Sequence, residues 1–87
     1  MNEEYVRLVL KRAESLVKEI SERVDELIEL QQDYERADSR YEKIKILKQY
    51  EEKTFVLVSM CRDLEACVNS IYEQIILART IGIDNIK

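Results

Sequence analysis

Apolar residues in this chain recur every three and four positions, in two frames that do not match. The first frame runs through Val6, Leu10, Ala13, Val17, Ile20, Val24 and Leu27, then Gln31 and Tyr34. Written as heptads, Leu10, Val17 and Val24 take a positions, while Val6, Ala13, Ile20, Leu27 and Tyr34 take d positions. The second frame runs through Leu47, Tyr50, Thr54, Leu57, Cys61, Leu64, Val68, Ile71, Ile75 and Ala78, with Leu47 at a. Extending the first frame would place an a position at residue 45, two residues out of phase. A continuous coiled coil absorbs insertions of three or four residues, and two is neither. The break therefore predicts an antiparallel hairpin of two helices, over about 3–37 and 40–81, with a turn near 37–40.

Local signals agree. Asn2 stands at a helix N-cap with Glu3 and Glu4 behind it, where the helix dipole favours acids. Ser39 to Glu42 reads S-x-x-E, the capping box of a new helix, and Asp38 interrupts the apolar pattern just before it. Gly82 suits a left-handed C′ residue, with Ile83 packing back on the last turn. Residues 1–83 then form one domain, followed by a loose tail at 84–87.

Composition fits long helices. The chain of 87 residues has no proline and one glycine, residues that cost about 3 and 1 kcal/mol inside a helix. It is too short for more than one domain. The stretch TFVLVSMC, residues 54–61, is rich in β-branched residues and carries no charge. A strand there would have no partner, and the three–four spacing runs straight through it, so helix is the reading.

The a and d rows are expected to form the hairpin seam, with Val9, Leu16 and Leu30 at g flanking it and Leu57 and Cys61 facing helix 1. Phe55 and Val56 then fall at b and c on the far side of helix 2, with Val58 and Met60 at e and g. Ile76 and Leu77 repeat the outer b and c pair about 31 Å further along. One hairpin cannot cover both faces of its second helix. Phe55, Val56, Val58, Met60, Ile76 and Leu77 are therefore expected to form a homodimer interface, giving a four-helix bundle.

With the turn near 38–39, residues i and 77 − i sit level, so Ile75, Ile76, Leu77, Ile81 and Ile83 overhang helix 1. Tyr5 and Leu8 lie nearby, making an apolar patch at the open end. Glu19, Glu22, Glu26, Glu29 and Asp33 step along the outer face of helix 1 as an acidic ridge. Ridge and patch are the surfaces expected to meet a protein partner.

Charge argues against nucleic acid as the main partner. The net charge is −4, with six bases against eleven acids in residues 1–38 and eight against seven in 39–87. The competing reading uses Arg40, Lys43, Lys45 and Lys48, a basic collar near Tyr34, Tyr41 and Tyr50, to grip phosphates and stack bases. A third reading makes the chain an obligate helical subunit of a larger hetero-complex.

Catalysis is not expected. The chain has no histidine, no Gly-rich phosphate loop and no nucleophile beside a base. A di-iron bundle would need inward Glu and E-x-x-H ligands, and no cofactor or metal is expected. Cys61 and Cys67 are about 240° apart on one helix, so they do not pair within the chain, and they read as small apolar filler on or beside the seam. Free thiols, the lack of a signal-peptide pattern and the lack of a membrane-length apolar run point to a soluble cytoplasmic protein.

Overall fold

The computed structural model describes residues 1–82, and within them the hairpin forms as expected. Helix α1 spans Glu3–Arg36 and helix α2 spans Arg40–Leu77, continued by a π-helical turn at Ala78–Gly82. No strand occurs among the described residues. The Asn2 side chain accepts the Tyr5 N–H at 3.0 Å and its carbonyl accepts the Val6 N–H at 3.1 Å, which starts α1. Ser39 Oγ accepts the Glu42 N–H at 3.1 Å, the serine half of the expected capping box.

The turn needs no glycine. Ala37 and Ser39 both lie in the extended region, at φ −66° and −112°, and no described residue has positive φ. Ala37 N–H donates to the Tyr34 carbonyl at 3.3 Å, closing the last turn of α1 before the chain reverses. The C-terminal expectation is corrected. α2 does not end in a left-handed glycine: the Ala78 N–H is shared between the Gln74 and Ile75 carbonyls at its end, and Gly82 closes the π-helical turn that follows. Ile83 and the expected tail at 84–87 lie outside the described residues.

Register follows the predicted rule closely. Asn2 N–H reaches Gln74 Oε1 at 3.0 Å at the open end, and Lys43 Nζ stands 5.3 Å over the Tyr34 ring near the turn. Their number sums, 76 and 77, differ by one across the whole length of the hairpin.

The rotation of the seam is where the structure departs from the sequence reading. The buried residues among those described are Leu16 at 2% exposure and Leu30 at 8%, both at g. The half-buried ones follow the d and g rows: Val6, Val9, Ala13, Ile20, Leu27 and Tyr34 on α1, and Ile46, Tyr50, Leu57, Met60, Leu64, Cys67 and Ile71 on α2. Leu10, Val17 and Val24, expected in the seam at a, are exposed, and so are Leu47, Cys61, Val68 and Ile75. Cys61 therefore does not face α1.

Size favours this rotation at two of the layers. Across the d/g seam Leu16 lies level with Met60 and Leu30 with Ile46, whereas the a rows would bring Val17 to Cys61 and Val24 to Thr54. The bulkier pairs fill the space between two helices better and remove more apolar area from water.

Candidate functional site

Two helices can cover only two of three apolar rows, so the row left over defines the molecule's main exposed face. At 100° per residue the a row stands about 90° from the centre of a d/g contact. In an antiparallel pair that rotation carries both a rows to the same side. Their residues are level, each pair summing to 78: Leu10 with Val68, Val17 with Cys61, Val24 with Thr54 and Gln31 with Leu47. Ile28, Ile44, Val58 and Tyr72, exposed at e, border the same side. The result is an apolar strip along one face of the hairpin.

Thr54 does not interrupt it. Its Oγ1 donates to the Tyr50 carbonyl one turn back, at 2.7 Å, which satisfies the hydroxyl within α2. A groove of about 380 Å³ opens beside the strip toward the turn, lined by Val24, Leu27, Ile28, Gln31, Gln32, Glu35 and Tyr50.

The opposite side is polar and partly ion-paired. Lys53 Nζ lies 2.7 Å from Glu26 Oε2, and Arg23 Nη1 lies 3.8 Å from the same oxygen. The hydrogen bond from Lys53, with the charges of Lys53 and Arg23, holds the Glu26 carboxyl below the usual glutamate range. Glu26 thus leaves the acidic ridge to neutralise two bases in the seam. Glu19, Glu22, Glu29 and Asp33 remain exposed on the outside of α1. Sequence reasoning missed this cluster, although two bases at facing g positions, level with each other, already called for an acid between them.

The six residues expected at a dimer interface do not share one face. Phe55, 77% exposed, and Ile76 sit at b, directly behind α2. Val56 and Leu77 at c lean toward the charged side, Val58 at e borders the strip, and Met60 at g is half-buried in the seam. A second shallow groove of about 380 Å³ runs behind α2 beside Phe55, lined by Lys48, Glu51 and Glu52.

At the open end Tyr5, Leu8, Ile75, Ile76, Leu77 and Ile81 are all exposed, but they stand at different positions round the two helices, with Leu8 behind α1 and Ile76 behind α2. Ile83 lies outside the described residues. In the basic collar, Arg40, Lys45 and Lys48 are exposed and spread around α2, whereas Lys43 is half-buried over Tyr34. The collar therefore offers separated charges instead of one groove.

Among the described residues, no group of three or more Asp, Glu, Cys or His stands close enough to hold a metal ion. None of the described helices is long and apolar enough to cross a membrane. No protein-family model, curated protein or solved structure matches this chain.

Proposed function

We propose that this chain is a non-enzymatic protein–protein interaction module, a cytoplasmic adaptor or scaffold whose working unit is a homodimeric four-helix bundle. The observation that carries the reading is the surplus of surface over core. The single chain exposes 7246 Å², whereas a compact globule of 10.4 kDa exposes roughly 5,400 Å². Its radius of gyration is 20.0 Å, against about 12 Å for a compact domain of this length. Two buried leucines among the described residues are a meagre core for helices of 34 and 38 residues.

Energies point the same way. Leu10, Val17, Val24, Leu47, Val68 and Ile75 are each about half exposed. Covering the remainder returns about 5–9 kcal/mol per chain, at 1.5–3 kcal/mol for a full side chain. A dimer gains about twice that, which meets an association cost of about 4–15 kcal/mol. The dimer would then present the exposed part of the acidic ridge and the open-end apolar patch to a further protein. Sedimentation velocity on the purified chain tests the reading. The expected species has twice the mass of the 10.4 kDa chain, and a monomer at micromolar concentration overturns it.

A further inference from the structure

The geometry points to the strip of a rows as the self-association face, covered by a second copy of this chain laid across it with its turn at the opposite end. This deepens the dimer reading above and rests on it.

The case for a second copy is area and continuity. Two chains together carry a surplus of roughly 3,700 Å² over compact monomers, within the 2,000–5,000 Å² that obligate homodimers bury. The strip runs along most of the hairpin: Leu47 to Ile75 alone spans roughly 42 Å of helix. The opposite side carries the Glu26, Lys53 and Arg23 cluster, whose burial would strip water from three charges. Phe55 and Ile76, directly behind α2, are too far round the helix to share the strip's contact.

The case for opposite ends is the match of polarity along the rows. Val17 and Cys61 form the middle of five level layers, with Glu3 and Ile75 at one end and Gln31 and Leu47 at the other. A twofold axis across the middle layer sets α1 on the partner's α1 and α2 on the partner's α2, antiparallel. Leu10 then meets the partner's Val24, Val68 the partner's Thr54, Ile75 the partner's Leu47, and Glu3 the partner's Gln31. Apolar meets apolar, with Thr54 offering its methyl, and carboxylate meets amide. The groove beside Val24, Ile28 and Gln31 lies where the partner's Leu10 arrives. Stacking with both turns at one end would set Glu3 on the partner's Ile75 and bring two Glu3 carboxylates into one layer.

In this arrangement each Cys61 faces its own twin across the axis, while Cys67 is half-buried in the seam. Chemical cross-linking with a short bismaleimide, read on a denaturing gel beside the native mass, therefore tests the proposal. The unmodified chain should give a covalent dimer, and Cys61→Ser should abolish it. In the Cys61→Ser background, Val56→Cys should not cross-link, because it lies off the strip. Ile75→Cys in the same background should not cross-link either, since opposite-end stacking sets the two copies roughly 42 Å apart. A dimeric mass without cross-linking through Cys61, or with cross-linking through Val56→Cys, overturns the face and leaves the dimer standing. Cross-linking through Ile75→Cys overturns the orientation. A monomeric mass overturns both this inference and the reading it rests on.

Discussion

Lys53 of α2 donates to Glu26 of α1 across the hairpin at 2.7 Å, and Arg23 approaches the same carboxylate oxygen at 3.8 Å. The cluster sits one turn from the Ile20 and Leu57 layer and fits the register in which Lys53 stands opposite Glu26. All three side chains are about two-fifths exposed, so the contact favours this register modestly, as a surface ion pair does.

Replacing Glu26 by Gln should therefore destabilise the hairpin at neutral pH. The carboxyl is held below its ordinary value in the folded chain, so its contribution is present above the unfolded glutamate pKa. It is lost as pH falls through the depressed folded value. Urea titrations of the two proteins should differ at pH 7 and converge in acid; a gap that persists unchanged in acid would show that the ion pair is not the cause.

Leu16 is the most buried of the described side chains, at 2% exposure. Leu16→Ala should cost about 2–5 kcal/mol in chemical denaturation, from lost transfer energy and the cavity left behind. Cys61→Ala, at an exposed position of the same helical layer, should cost much less in the unassociated chain. Equal losses would mean the seam runs through the a rows after all.

Ser39 starts α2 by accepting the Glu42 N–H. Ser39→Ala should cost about 0.5–2 kcal/mol, the usual loss for an N-cap hydroxyl. Ser39→Gly should cost only a few tenths, because glycine frees the N–H groups for water. Thermal melts of both variants check the order.

A charge placed on the strip should break the assembly, and a charge behind α2 should not. Val68→Glu is expected to yield monomers in sedimentation, since association would bury an unpaired carboxylate. Phe55→Glu is expected to leave the mass unchanged. The reverse result would move the interface to the back of α2.

The basic collar is expected not to retain single-stranded RNA or duplex DNA, even at low salt, where phosphate contacts are strongest. Retention that disappears in the Lys45→Glu, Lys48→Glu double variant would establish the nucleic-acid reading in its place.

Much of this fold was legible from residue spacing. The two-residue phase jump located the hairpin, Ser39 and Asn2 located the helix starts, and the offset of α2 beyond α1 came from counting back from the turn. The rotation of the seam was not legible in the same way. Apolar residues fill a, d and much of g on both helices, and a stripe three rows wide is symmetric about d. Spacing shows the stripe without saying which outer row joins d in the contact. That choice depends on pairwise volumes across the seam, such as Leu16 with Met60 against Val17 with Cys61, and these appear only once both helices share one register. The Glu26 and Lys53 contact was hidden for a related reason: its partners are 27 residues apart, and only the fold makes them neighbours. The π-helical turn at Ala78–Gly82 likewise followed from no motif, since a glycine after an apolar run reads most simply as a left-handed cap.

The central claim is that an apolar strip left bare by one hairpin is closed by a second copy, so that association adds to the stability of the folded hairpin. The most direct measurement is the thermal midpoint of helix loss, followed by circular dichroism over a wide range of chain concentrations. Such linkage predicts a midpoint that climbs steadily as the chain is concentrated. A midpoint that stays constant, in a chain that remains monomeric throughout, would contradict it.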